Sequence, residues 1–139
     1  MKTINYEDGG IYVGKVSGGK PHGKGKFNGA DGTVYEGEFK KGEYHGKGVF
    51  AYPDGTKYEG FFEQGLYHGK GRLSYADGTK YEGEFKNSKF DGFGKFWYAD
   101  GRTYHGSMKE GEFHGKGIIT MPDGKKHKQR YEMGQLVEK

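Results

Sequence analysis

Between Val34 and Lys40 the chain alternates: Tyr35, Gly37 and Phe39 fall on one side of an extended strand, Val34, Glu36 and Glu38 on the other. In the following run Tyr44, Gly46, Gly48, Phe50 and Tyr52 share a side, with His45 and Lys47 opposite. Period-two alternation of this kind predicts half-buried β-strands. One face is aromatic and glycine, the other mostly Glu and Lys. Helix is disfavoured, because each segment carries glycines that cost about 1 kcal/mol apiece relative to Ala in a helix.

The pattern recurs every 23 residues: Asp8, Asp31, Asp54, Asp77, Asp100 and Asp123, each followed by Gly, keep that step without insertion. Tyr12, Tyr35, Tyr58, Tyr81 and Tyr104 follow it, as do the glycine pairs from Gly23/Gly25 to Gly115/Gly117. Each unit holds two strands and two turns, one at Asp-Gly and one at a later glycine (Gly19, Gly42, Gly65, Gly111, Gly134), where Ser88 is the exception. Asp-Gly between alternating segments is the strongest short hairpin signal. Connections this short make successive strands antiparallel.

Composition changes the picture in one respect. Leu, Ile, Val and Phe number only 22 of 139 residues, fewer than a packed globular core usually needs. Aromatic residues, 23 in all, bury large areas each and can stand in for them. The expected structure is therefore thin, ordered and aromatic-rich, with rings lying flat over bare glycine backbone. The net charge of +4 comes from interleaved signs, a weak case for an anionic partner. With no cysteine there is no disulfide framework. No apolar run approaches membrane-spanning length, and the expected compartment is the cytoplasm.

The segment from Asp54 to Gly71, with Tyr58-Glu59-Gly60, the turn glycine Gly65 and His68-Gly69-Lys70-Gly71, resembles the MORN repeat (membrane occupation and recognition nexus). The resemblance covers residues 8 to about 124. It implies an all-β, elongated, single-layer twisted antiparallel meander of tandem hairpins, without catalytic residues inside the array. Residues 1–8 are expected to add a half-unit strand, 8–124 to form full repeats, and 125–139 to form an atypical cap, strand or short helix. About eleven or twelve strands make a rod roughly 50 Å long. Departures fall in the fourth unit, where Asp91 replaces the repeated histidine, and in the last, where His127 and Gln129 replace Tyr and Gly.

Candidate chemistry is sparse. His22, His45, His68 and His114 sit on successive repeats about 9.5 Å apart, too far to share one zinc ion. Turn hydrogen bonding is the expected role, with no metal and no cofactor. The Asp column has the same spacing and is expected to bond its own downstream N–H groups. Gly-Lys-Gly lies within strands, so no phosphate loop is expected. No nucleophile with a base partner is recognisable, and the chain is expected not to be an enzyme.

The aromatic face is the leading candidate surface, with Tyr35, Tyr58, Tyr81, Tyr104, Phe39, Phe62 and Phe85 as its expected partner-binding residues. Two readings stand: the rings shield their own backbone, or they form a groove for an extended segment or helix. On the other face Phe61, Phe93 and Trp97 interrupt the charged columns. Phe93 stands where other units have Lys24, Lys47, Lys70 and Lys116, and Trp97 where they have Asn28, Ala51, Ser74 and Thr120. These are a second contact site or neutral drift. The tail's Lys125, Lys126, Lys128 and Arg130 suit an anionic lipid or RNA, or are simply solvated.

The expected function is a scaffold or adaptor for protein partners, in a cytoskeletal, ciliary or flagellar assembly by the resemblance. The alternative is a peripheral module binding acidic phospholipid. Each unit offsets Lys with Glu, which argues against nucleic acid. Open sheet ends make end-to-end self-association an expectation.

Overall fold

In the computed structural model, which describes residues 1–138, thirteen strands pair antiparallel in chain order within one sheet. The first is β1 (Lys2–Asn5). Five hairpins follow: β2 (Ile11–Ser17) with β3 (Lys20–Asn28), β4 (Val34–Lys40) with β5 (Glu43–Ala51), and β6 (Lys57–Glu63) with β7 (Leu66–Ser74). Then come β8 (Lys80–Lys86) with β9 (Lys89–Trp97), and β10 (Thr103–Lys109) with β11 (Glu112–Thr120). The last pair is β12 (Lys126–Glu132) and β13 (Gln135–Glu138). The strand count exceeds the expected eleven or twelve because the segment 125–138 is itself a hairpin. Lys139, the last residue of the expected cap, lies outside the described residues. At the other end β1 pairs with β2, with Ile4 opposite Tyr12.

The two turns differ from the simplest expectation. The two-residue hairpin loop is Gln64-Gly65, not Asp-Gly: both residues have positive φ, 50° and 80°, in the type I′ shape that matches sheet twist. The Asp-Gly connection is longer. There Tyr52 N–H donates to Thr56 O at 2.8 Å, Gly55 N–H to Tyr52 O at 3.1 Å, and Thr56 N–H to the Asp54 carboxylate at 2.9 Å. The same carboxylate bond recurs from Asp8 to Asp123 and holds Asp31, Asp54 and Asp100 below the usual carboxylate range; at Asp77 the Thr79 hydroxyl does so first and the backbone bond second.

Each hairpin contains a bulge. Gly60 pairs with Gly71 and Phe62 with Tyr67, so His68, Gly69 and Lys70 of β7 stand against the single Phe61 of β6, which faces Lys47 on β5. The Tyr58 phenol donates to the carbonyl of Phe61 at 2.8 Å. The four equivalent bonds run from Tyr12 to Lys15, Tyr35 to Glu38, Tyr81 to Glu84 and Tyr104 to Ser107.

Ring-over-glycine packing explains the glycine columns. A Cβ on Gly71 would lie 2.3–2.6 Å from the Tyr58 ring, and one on Gly60 would lie 2.5 Å from the Gly71 Cα. Above the phenol a second ring closes the stack: Tyr67 lies parallel to Tyr58 with centroids 3.8 Å apart, and Tyr44 on Tyr35, Phe90 on Tyr81 and Phe113 on Tyr104 repeat it. Phe62 meets Tyr58 edge-on at 5.0 Å and also Tyr35 of the preceding unit at 5.1 Å. The core is thus a continuous stripe on one face of a single sheet, built from Tyr12, Tyr35, Tyr58, Tyr81, Tyr104 and their neighbours.

Candidate interaction surfaces

The first-strand rings lie inside that stripe. Tyr35, Tyr58, Tyr81 and Tyr104 have no accessible surface, and Phe39, Phe62 and Phe85 are 3–5% exposed. A partner approaching the ring face would meet the second layer instead: Tyr44, Phe50, Tyr67, Phe90, Phe96 and Phe113 are half-buried and packed on the core. Tyr52, Tyr75 and Tyr98 sit beside them at the start of the Asp-Gly turns, with the Tyr52 and Tyr67 hydroxyls hydrogen-bonded to each other. The self-shielding reading thus describes the inner layer of rings, while the outer layer keeps accessible surface. The signal for the outer layer was present in the columns of Tyr44 and Tyr52, which share the face of Phe50.

Burial sets the phenols apart electrostatically. Loss of hydration pushes Tyr58 and Tyr104 up to about 12, and raises Tyr35, Tyr67 and Tyr81 as well. These hydroxyls stay neutral donors across the physiological range.

At the N-terminal end of the ring face, a notch of about 380 Å³ opens between Tyr6, Pro21, Phe27, Phe39 and Tyr44. It exists because Gly29 occupies the column that holds Tyr52, Tyr75 and Tyr98 in later units.

The repeated histidines are turn acceptors in two units. His22 Nδ1 accepts Lys41 N–H, and His114 Nδ1 accepts Met133 N–H, both at 3.3 Å. Asp91 takes the same position in its unit, its carboxylate 3.5 Å from Glu110 N, so the replacement keeps an acceptor. His68 instead pairs with Glu63 at 3.2 Å.

On the opposite face Phe61 is 48% exposed and Phe93 67%, while Trp97 is half-buried between Lys80 and Lys95, whose ammonium groups lie 5.7 and 4.9 Å from its ring. Lys26 stands opposite Glu36 and Lys95 opposite Glu82, in register but without an ion pair. Among the described residues the one cross-strand ion pair of a lysine or arginine on this face is Arg72–Glu82, at 2.7 Å. The guanidinium donates twice to a single carboxylate oxygen, a geometry unavailable to lysine.

Of the basic tail, Lys125 extends toward Asp123 at 4.0 Å in the last Asp-Gly turn. Lys126, Lys128 and Arg130 lie along β12 opposite Thr120, Ile118 and Lys116. Lys128 and Arg130 help line a groove of about 730 Å³ with Phe93, His105, Lys116 and Ile118, floored by Gly106 and Gly117.

No curated protein matches the chain. A similar solved fold is the SAS-4 (dCPAP) TCP domain in complex with a proline-rich motif of Ana2 (dSTIL) of Drosophila melanogaster. The TM-score is 0.52 at 14% identity, over 98% of this chain and 81% of that one. The family described as MORN repeat matches at residues 12–34, 35–57, 58–80, 81–101 and 104–126. Each match opens at or beside the buried tyrosine that heads a hairpin unit, and together they span most of the sheet: the chain belongs to the MORN repeat family.

Proposed function

We propose that this protein is a non-catalytic scaffold or adaptor that holds protein partners on the ring face of its sheet. The observation that carries the reading is the outer layer of rings: Tyr44, Tyr67, Phe90 and Phe113 stack on the buried phenols, and among the described residues no second layer covers them. Contiguous open aromatic surface on a rigid sheet is a partner-binding feature. The occupant we favour is an extended segment or a helix. The Drosophila TCP domain is described with a proline-rich motif. Such segments dock against aromatic walls like those of the notch at Tyr6, Phe27 and Tyr44. The setting proposed is a cytoplasmic cytoskeletal, ciliary or flagellar assembly, supported by the family resemblance alone. The open edges at β1 and β13 add end-to-end association to the proposal.

Crosslinking mass spectrometry from native extract tests it, with wild-type protein beside a Tyr75→Ala/Tyr98→Ala variant of unchanged melting temperature. Crosslinks on the ring face that disappear in the variant support the reading. The same partners captured by both, or no cytoskeletal component recovered, count against it.

A second reading, a peripheral module for acidic phospholipid, draws on Lys126, Lys128 and Arg130 along one strand. Sedimentation with phosphoinositide vesicles at two salt concentrations decides it: absence of binding at low salt removes it.

A further inference from the structure

The face opposite the rings changes sign along the sheet. In one laterally paired row Glu36, Glu59 and Glu82 lie next to the cations Lys26, Arg72 and Lys95. From β10 onward the same row continues as His105, Ile118 and Lys128. In the neighbouring row Lys24 faces Glu38 and Lys70 faces Glu84, but Lys116 faces Arg130. The column that supplies glutamate in three successive units thus becomes His105 and then Lys128. Over β9 to β12 these rows and the one beside them carry Lys95, Lys116, Lys126, Lys128 and Arg130; Asp91, Glu112 and Glu132 stand at the margin, by the hairpin turns.

Folding does not call for this arrangement. Like charges directly opposite on adjacent strands destabilise a sheet, and Lys116 with Arg130 is such a pair. The shape is as specific as the charge. The groove of about 730 Å³ is floored by bare backbone at Gly106 and Gly117, because the Tyr104 ring lies over Gly117 on the other side. Phe93, 67% exposed, and Ile118, 37% exposed, supply apolar contacts beside the cations.

We infer that this groove docks an extended acidic segment of a protein partner, with carboxylates at Lys116, Lys128 and Arg130 and an apolar side chain between Phe93 and Ile118. An extended chain projects alternate side chains at the spacing of one strand row to the next-but-one, which suits cations set on rows of a pleated surface. Arg130 can hold a carboxylate through two parallel N–H bonds. A bilayer is planar and cannot reach a recessed glycine floor flanked by Phe93, so a peptide uses the groove where a membrane would meet only its rim. The site lies on the face away from the outer rings and stands independently of that binding surface.

Fluorescence anisotropy on the full chain tests it, using a short labelled peptide that alternates glutamate and serine around one phenylalanine. Glutamine in place of glutamate should reduce affinity about tenfold or more, as should Lys128→Glu/Arg130→Glu, while Lys24→Glu on the same face should change it less than twofold. Phe93→Ser should weaken binding several-fold with the salt dependence kept, which separates the apolar contact from charge. Equal binding of the glutamate and glutamine peptides overturns the inference, as does an equal loss in Lys24→Glu. So does preferential binding of phosphoinositide vesicles or of single-stranded RNA over the acidic peptide. Melting curves of each variant accompany the titrations, and Lys116→Gln gives the charge test again should the double variant unfold.

Discussion

The Tyr58 hydroxyl donates to the carbonyl of Phe61 at 2.8 Å, three residues along the same strand. Gly60 and Gly71 leave the space through which the phenol passes, and the bulge turns the Phe61 carbonyl to meet it. Ring, glycine and bulge are therefore a single device. Tyr58→Phe keeps the ring and removes the donor. The expected loss is about 1–3 kcal/mol, the usual cost of leaving a polar group without its partner in a dry site, read from chemical denaturation with an unchanged denaturant slope.

Two glycines of neighbouring role separate space from backbone conformation. Gly71→Ala places a methyl group within 2.6 Å of the Tyr58 ring and must displace it. A loss of about 3 kcal/mol is expected. Gly78 has φ of +95° and nothing within 4 Å of the position of an added Cβ. Gly78→Ala should cost only the left-handed backbone penalty, about 1–2 kcal/mol. Equal losses in the two variants would refute ring-over-glycine packing.

The buried phenols make stability fall in alkali. Unfolded tyrosine ionises near 10.0, whereas burial holds Tyr58 and Tyr104 at about 12 in the folded chain. The folded state thus binds more protons than the unfolded one above pH 10, and stability drops as pH rises. Their contribution is complete below about pH 10 and is lost through about pH 12. Tyrosinate absorbance should rise in two phases. Exposed phenols titrate first, and the buried set follows in a steep step that coincides with loss of the β circular dichroism signal.

Much of this was legible in the sequence, and the limits are physical. The constant step of 23 residues placed every column, and alternation assigned the faces. It could not reveal that Tyr67 lies flat on Tyr58, since the contact depends on a bulge that shifts register between Gly60 and Phe62. Hence the first-strand rings, read as contact residues, proved to be the buried layer, with the surface passing to Tyr44, Tyr67 and Phe90. The tail kept Gly134 and Leu136 in register while losing Tyr and Gly, which left strand and helix both open; pairing of Tyr131 with Leu136 resolves it as a hairpin. On the charged face lysine and glutamate stand opposite each other, but among the described residues it is the fork of Arg72 that spans the gap, to Glu82.

Asp91 and His114 offer a natural comparison of acceptors at one turn. Each receives a backbone N–H from the following unit, Glu110 at 3.5 Å and Met133 at 3.3 Å. His114→Asp should therefore be nearly neutral. His114→Leu, which keeps bulk and removes the acceptor, should lower stability by about 0.5–1 kcal/mol. Amide hydrogen exchange at Met133 should accelerate in the leucine variant and not in the aspartate one.

The edge contact from Phe62 back to Tyr35 means that no block is finished by its own residues. Tyr12, Tyr35 and Tyr58 are each sealed by a phenylalanine of the next block, Phe39, Phe62 and Phe85, so three successive junctions share one mating shape. Whole blocks can then be spliced in or out without repacking what remains, whereas a cut inside one strips a phenol of its lid. The molecule is in this sense a ruler graduated in steps of about 9.5 Å, whose reach is set by copy number alone.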